Sequence, residues 1–312
     1  MLYGFDIGGT KIEIGVFDQN LNSLWTKRIK TPLDGYDSFL NSIVELVAEA
    51  DHKFATVGQV GIGMPGFINN KRKIYSTNIT AINQQPFAND LEKAIKRPIF
   101  INNDANCFAI SEAFNDDFNA HQTILAVILG TGLGGGIVVN RQVLSGLNGC
   151  AGEIGHIRLP IDALNVLGQN MPILPCGCGL SGCAERYLSG SGFEWLYQYF
   201  YQQPLNAKQI IEQYYQGDSV AKQHVDRYFE LLALYLGHLI MIVDAEVIVI
   251  GGGLSNFAAI YQEVPSRIAK YILPRMALPR LEKARFGDSG GTRGAALLCL
   301  KPLSIEQLYK RN

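Results

Sequence analysis

Apolar and polar positions fall into two kinds of run along the chain. Short blocks of Val, Ile, Leu and Phe stop abruptly at glycine clusters: DIGGT (6–10), VGIGMPG (60–66), GTGLGGG (130–136) and IGGGL (250–254). Two further clusters, GCGLSG (177–182) and GDSGGTRGAA (287–296), complete the set. Buried strands that run into glycine turns are the layout of α/β proteins holding phosphates at strand ends. Longer runs place apolar residues at i, i+3 and i+4, which predicts helices over 39–50 and 221–240. A strand is predicted over 99–101 and a helix over 105–114. The C-terminal GGTRGAALLCL reads as a glycine turn entering a helix.

One arrangement occurs twice. YGFDIGGTKIEIGVFD and ILAVILGTGLGGGIVVN both read as hairpins broken by glycine. Two such hairpins about 125 residues apart point to two related α/β domains in tandem. The polar stretch FNDDFNAH (114–121) supplies the break between them. The expected division is a smaller N-terminal α/β domain over 1–117, rejoined by a C-terminal helix at about 292–312, and a larger α/β domain over 118–291.

Composition narrows the class. A chain of 312 residues suits about two domains. With 47 % hydrophobic and 18 % charged residues it is not a disordered chain. The balance of 27 basic to 28 acidic residues lacks the excess of a nucleic-acid binder. The longest near-continuous apolar stretch, 231–243, contains His238 and is shorter than the ~20 residues of a membrane span. The start MLYGFDIGG has neither a charged segment nor a long apolar one, so no secretory signal and a cytoplasmic location are expected.

The glycine turns carry the first chemistry. In DIGGTK, glycines let backbone approach an anion, and successive N–H groups form an anion nest. Thr10 adds a hydroxyl, Lys11 a charge, and Asp6 a carboxylate able to hold Mg²⁺ beside phosphates. An ordinary tight turn explains DIGGTK equally well. Five glycines in GTGLGGG weaken a strand, so a phosphate cradle explains them better. EVIVIGGGLSN reads either as close backbone approach to a nucleotide base or ribose at Gly252 and Gly253, or as a strand-to-helix turn capped by Ser255 or Asn256.

Asn102, Asn103 and Asp104 stand together where a strand meets a helix. Capping needs only one of them, worth ~1 kcal/mol. A helix N-terminus keeps a carboxylate ionised, and phosphoryl transfer asks more of position than of base strength. Asp104 can therefore accept the hydrogen bond of an attacking hydroxyl, with Asn103 orienting a neighbouring one. PCGCGLSGCAE is the most specific signal: Cys176, Cys178 and Cys183 at C-x-C-x4-C suit tetrahedral Zn²⁺, and His156 in GEIGH is the best remaining fourth ligand. Such a closed Cys3His site is structural. Glu153 and Glu185 flank it in sequence and suit sugar hydroxyls. Cys107, Cys150 and Cys299 read as buried thiols.

Together these motifs resemble the ROK sugar kinases over nearly the whole chain, from GFDIGGTK to GDSGGTRGAA, with CGCGLSGCAE and GEIGH the most specific. The resemblance implies a two-domain α/β fold of the actin-like/hexokinase type (ribonuclease H-like) with a cleft between the domains. It implies transfer of the γ-phosphoryl of ATP to a sugar. NNDANCFAISEAF, GEIGHIRLPIDAL and VIVIGGGLSNF resemble most the members acting on the 6-hydroxyl of N-acetylglucosamine. Asp104 would be the catalytic base. Asn103, Glu153, His156 and Glu185 would bind sugar hydroxyls, with Gly66 lining the pocket. ATP and Mg²⁺ would lie on the hairpins, at Gly4, Phe5, Asp6, Ile7, Gly8, Gly9, Thr10 and Lys11 of the first. The second would contribute Thr131, Gly132, Leu133, Gly134, Gly135 and Gly136, with Gly252 and Gly253 beyond them. His156, Cys176, Cys178 and Cys183 would hold structural Zn²⁺, His156 serving zinc and sugar at once.

One departure concerns the substrate. Many glucose-specific relatives carry Asn-Leu and a nearby Trp after the MPG loop, whereas this chain has STNITAINQQPF. Thr77 and Asn78 are the candidates there to reach the substrate. Glucose, fructose and N-acetylmannosamine kinases remain the alternatives. A sugar-responsive repressor of the same family carries a helix-turn-helix ahead of the first hairpin, which here begins at Tyr3. A binding-only sensor would not need the Asn103–Asp104 pair. The resemblance implies a homodimer with a small-molecule sugar substrate, binding neither nucleic acid nor membrane.

Overall fold

The first hairpin pairs β1 (Leu2–Ile7) with β2 (Lys11–Phe17), antiparallel from Leu2 opposite Phe17 to Ile7 opposite Ile12. In the computed structural model, which describes residues 1–68, 73–76, 79–287 and 290–300, β3 (Ser23–Lys30) extends this hairpin antiparallel. β3 exposes alternate residues and carries Lys27, Arg28 and Lys30, the charges that blunt a sheet edge. β1 and β2 are instead almost continuously buried.

α1 (Tyr36–Phe54) buries Phe39, Ile43, Leu46, Val47 and Ala50, the stripe that predicted a helix over 39–50. Its outer turns hold one apolar residue each, Tyr36 and Phe54, among polar ones, so periodicity alone did not mark them. β4 (Gln59–Met64) follows, parallel to β1. A short hairpin of β5 (Phe67–Ile68) and β6 (Ile74–Tyr75) precedes α2 (Phe87–Ile95). β7 (Ile99–Asn103) is parallel to β4 and passes directly into α3 (Asp104–Ala113). The sheet order is β3-β2-β1-β4-β7.

The pattern then recurs. β8 (Thr123–Leu129), β9 (Leu133–Val139) and β10 (Gln142–Val143) come first. After α4 (Ala163–Leu167), α5 (Glu185–Leu188), α6 (Gly190–Tyr201) and α7 (Ala207–Gln216) comes α8 (Ser219–Val243). β11 (Val247–Gly251) lies parallel to β8, and β12 (Arg280–Lys283), reached through α9 (Ala259–Ile268), lies parallel to β11. The order β10-β9-β8-β11-β12 repeats the first sheet strand for strand. α8 is capped by Asp218, whose carboxylate accepts from the Ala221 amide, and Leu231–Leu236 are buried on every face. No helix among the described residues is long and apolar enough to cross a membrane.

α10 (Gly290–Leu297) corrects one expectation. Its glycines lie inside the helix rather than in a turn before it. A Cβ on Gly294 would fall 1.7 Å from the Cys107 carbonyl oxygen of α3. Facing strands answer with glycine: a Cβ on Gly4 of β1 would fall 1.8 Å from the Thr292 oxygen, and one on Gly61 of β4 1.8 Å from that of Ala295. These glycines permit backbone-to-backbone packing. Arg293 ties the helix further, donating to the carbonyls of Ser111 and Phe114 at 2.5 and 2.6 Å.

The chain sorts into two compact units. One comprises 1–122, 136–152 and the segment beginning at residue 286; the other comprises 123–135 and 153–285.

Candidate active site

In the first unit the β1–β2 turn closes through the Gly8 amide, which donates to the Lys11 carbonyl at 2.8 Å. Thr31 braces it: its hydroxyl donates to the Gly8 carbonyl at 2.6 Å, and its amide to that of Thr10 at 3.1 Å. Thr10 is exposed at the tip, and Lys11 is half-buried. Phe5 and Ile7 point into the core with no exposed surface, and Gly4 meets α10, so these three have packing roles. Asp6 stands beside the start of α10. A Cβ on Gly291 would lie 2.8 Å from its carboxyl carbon, so glycine makes the room Asp6 occupies. Burial and the neighbouring Asp104 carboxylate push the Asp6 pKa up to about 6, against the pull of Lys11.

Asp104 is the first residue of α3, where β7 ends. Desolvation raises its pKa above the usual carboxylate range, although the Ala105 amide, donating to Oδ1 at 2.9 Å, pulls the other way. Asn103 is the N-cap, its oxygen accepting from the Ala105 amide at 2.7 Å. Its Nδ2 donates to the Gly66 carbonyl at 3.1 Å. Gly66 has φ +108°, and a Cβ there would fall 2.1 Å from the Tyr75 oxygen. Asn102 completes the group: its Oδ1 accepts from the Asn103 amide and Asn106 Nδ2, both at 2.9 Å, and its Nδ2 donates to Ser145 Oγ at 3.3 Å. The three polar residues thus fix the strand-to-helix junction that presents Asp104. Thr77 and Asn78 lie outside the described residues. Gly136 sits in β9, with a Cβ there 2.6 Å from the Ala109 Cβ of α3.

In the second unit the β8–β9 turn closes through the Gly130 amide, which donates to the Gly132 carbonyl at 3.0 Å, with Thr131 exposed at the tip. Three pieces of chain pack on it. The Gly190 amide, opening α6, donates to the Gly130 carbonyl at 2.7 Å. Gly252 (φ +79°) lies so close that a Cβ would stand 2.5 Å from Leu129 backbone. Glu185 Oε2 accepts from the Leu133 amide at 3.3 Å. Gly134 and Gly135 continue β9. Gly253 has open space on its Cβ side and begins the short 3₁₀ turn Gly253–Asn256. There Ser255 Oγ and Asn256 Nδ2 donate to the carbonyls of Gly252 and Gly253, and the N-cap of the following helix α9 is Ala258, with no side-chain cap.

The cysteine loop folds as a small knuckle. The Cys176 amide donates to the Leu180 carbonyl at 2.8 Å, and left-handed glycines, Gly179 and Gly182, turn the chain. It brings the ligand atoms of His156, Cys176, Cys178 and Cys183 within 4.8 Å of one another. Cys178 and Cys183 sulfurs are 3.7 Å apart, and Cys176 Sγ is 3.7 Å from His156 Nδ1. Ligands at ~2.3 Å (S) and ~2.0 Å (N) in a tetrahedron stand about 3.5–3.8 Å apart, so these atoms fit Zn²⁺. The sulfur separation is far too long for a disulfide, and all six cysteines are free thiols. His156 Nε2 turns instead toward Glu153, 3.9 Å away, and Glu153 is exposed. Cys107 and Cys299 are buried as expected; Cys150 is only half-buried, because its small neighbours form a glycine loop rather than core.

A profile of the ROK family matches residues 2–301. This chain belongs to the ROK family. It is 50 % identical over 301 residues to the N-acetyl-D-glucosamine kinase of Yersinia pseudotuberculosis (strain YPIII), covering 96 % of this chain and 99 % of that protein. The crystal structure of the ROK hexokinase from Thermus thermophilus superposes with a TM-score of 0.83 at 31 % identity, covering 95 % and 97 % of the two chains. A ROK family glucokinase from Streptomyces griseus, solved with glucose and AMPPNP, gives 0.71 at 28 % with the same coverage. The fold is the α/β actin-like ATPase fold of ROK sugar kinases, as the motifs implied.

Three contributors carry weak sequence signals in this ROK protein. Thr31 follows an edge strand without any motif. Glu185 shows its reach to Leu133 only after folding. Tyr235, buried within α8, donates its hydroxyl to the Ile154 carbonyl and pins the turn bearing His156.

Proposed function

We propose that this ROK protein is an N-acetyl-D-glucosamine kinase, transferring the γ-phosphoryl of ATP to the sugar 6-hydroxyl. The observation that carries the reading is the identity of 50 % to kinases of that name, spread over 96 % of the chain. The local geometry agrees with it. Asp104, held at the start of α3, accepts the hydrogen bond and proton of the 6-hydroxyl as it attacks. Its raised pKa makes it a better acceptor than an ordinary aspartate. In this reading Asn103 and Gly66, with Thr77 and Asn78, contact the sugar from the first unit, and Glu153, His156 and Glu185 are the sugar contacts of the second. The β1–β2 and β8–β9 turns offer Thr10, Lys11 and Thr131 to the phosphates. Asp6 would hold Mg²⁺, which neutralises charge on the transferring phosphoryl group.

His156, Cys176, Cys178 and Cys183 would hold a structural Zn²⁺, which supplies rigidity and no chemistry of its own. With Nδ1 facing the cluster, His156 keeps Nε2 for a hydroxyl, and the metal would fix that tautomer. The reading extends to a cytoplasmic homodimer, for which light scattering is the direct measurement. A coupled ADP-release assay with ATP·Mg²⁺ tests the substrate. N-acetylglucosamine is expected to exceed glucose, N-acetylmannosamine and fructose in kcat/KM by at least about tenfold, or ~1.4 kcal/mol of transition-state binding. Another sugar winning by that margin replaces the substrate and leaves the kinase reading standing.

A further inference from the structure

The cysteine cluster and the second glycine turn are joined by one side chain. Glu185 follows Cys183 by two residues and opens α5. One of its oxygens, Oε1, accepts from the Cys176 thiol at 3.5 Å; a zinc-bound thiolate lacks that proton, so metal binding changes what Glu185 accepts from and leaves the Leu133 amide as its partner. The other, Oε2, accepts from the Leu133 amide at 3.3 Å, where β9 leaves the turn. A Cβ on Gly132 would fall 2.6 Å from the same Oε2, so glycine there leaves space for this carboxylate.

A second contact runs in parallel. The turn Ile154–His156 carries the fourth ligand position. A Cβ on its middle residue, Gly155, would fall 2.0 Å from the Leu133 carbonyl oxygen. Leu133 is therefore gripped on both backbone groups by segments that end in the metal cluster. Tyr235 holds the far side of the same turn through the Ile154 carbonyl. A glycine turn is conformationally permissive and depends on such neighbours for one shape.

We propose that Glu185 is a positioning residue for the β8–β9 turn, so that zinc occupancy of the cluster and nucleotide binding at the turn are energetically coupled. The inference rests on the reading of that turn as an ATP phosphate site. It assigns the cluster an effect on nucleotide affinity in addition to bracing its own loop. Coupling between two sites is reciprocal: if zinc tightens nucleotide binding by some factor, nucleotide tightens zinc binding by the same factor.

The test measures ADP·Mg²⁺ binding by calorimetry without sugar, in zinc-loaded and chelator-stripped full-length protein. Stripping is expected to weaken ADP at least about fivefold in the wild type, within the usual range of coupling. Glu185→Ala is expected to weaken ADP similarly while loaded, with less than about twofold added by stripping. Glu185→Gln, which keeps an acceptor for the Leu133 amide, is expected to restore affinity to within about twofold. Equal ADP affinity in loaded and stripped wild type overturns the proposal. So does a stripping effect in Glu185→Ala as large as in the wild type. Should stripping unfold the chain, zinc affinity is measured on folded protein with a chromogenic chelator. A gain of about fivefold on saturating with ADP·Mg²⁺ that is absent in Glu185→Ala supports the coupling, and no gain, or the same gain in Glu185→Ala, overturns it. If loaded wild type binds no ADP at all, the nucleotide reading of the turn fails and the proposal falls with it, a result distinct from uncoupled binding.

Discussion

The two glycine-broken hairpins occupy the same place in sheets of the same strand order, β3-β2-β1-β4-β7 and β10-β9-β8-β11-β12. In each, the amide of the first turn glycine closes the turn and a threonine stands exposed at the tip. What holds them differs. The β1–β2 turn is braced by one neighbour close in sequence, Thr31, and stands among charges, with Asp6 on one strand and Lys11 on the other. The β8–β9 turn carries no ionisable residue and is held by distant segments through Gly190, Gly252, Gly155 and Glu185. One topology thus yields an electrostatic end and a mechanically braced end. The difference lies in side chains and close approaches, not in strand order.

The largest expected effect tests the charged end. Asp104→Ala should lower kcat by at least about 10³-fold while leaving the thermal midpoint within a few degrees, because its carboxylate accepts from backbone amides at the head of its own helix, a local contact. Near-normal turnover would remove the base from the mechanism.

Asp6→Asn should lower turnover by about 100-fold or more and stabilise the fold at neutral pH. The Asp6 pKa rises from 3.8 to about 6, so the folded state binds this proton more tightly than the unfolded chain. Its contribution to stability is fully present below about pH 4 and is lost as pH rises through about 6. A neutral amide removes that loss, on the order of 2–3 kcal/mol at pH 7. In the wild type, kcat/KM should fall as pH drops through about 6. Denaturant titrations of both proteins at pH 5 and 7.5 check the stability sign; an equal pH dependence would refute the assignment.

The braced end should respond to shape instead. Gly155→Ala forces a Cβ against the Leu133 carbonyl oxygen. It should weaken ADP binding about tenfold with full zinc content, a cost of ~1.4 kcal/mol. Unchanged affinity would show that the turn does not depend on this contact. Zinc removal or Cys176→Ala should lower the thermal midpoint and raise the sugar KM together, read by metal analysis, calorimetry and kinetics. Unaltered sugar affinity in verified zinc-free protein would end the bracing role of the cluster. The smallest effects should come from single hydrogen bonds. Thr31→Val and Tyr235→Phe each remove one donor to a carbonyl, costing ~1 kcal/mol of stability. Thr31→Val should act on the β1–β2 turn alone, and Tyr235→Phe on the turn bearing His156.

Much of this was legible along the chain. The apolar stripe of α1 and the run of α8 announced two long helices, and paired strand–glycine–strand segments announced the repeated sheet. Spacing alone marked Cys176, Cys178 and Cys183, because a tetrahedral metal needs ligands on a short, tightly turned loop. The run Asn102–Asp104 marked the junction of β7 with α3, because polar residues cluster where a buried strand must cap a helix. Glycine function was the hardest to read. A glycine that frees backbone for an anion and one that admits a neighbouring backbone are the same letter.

The sequence by itself therefore determined the kinds of element, their order, the three cysteines of the cluster and the carboxylate at the head of α3. Each depends on periodicity or on residues adjacent in the chain. Only the tertiary structure decided that Gly4, Gly61 and Gly294 serve α10, that Asp6 fills room left by Gly291, and that Glu185 reaches from the cysteine cluster to Leu133. Those contacts join residues tens to hundreds of positions apart. Close packing fixes them within a few tenths of an ångström, and no local pattern in the chain encodes such a distance.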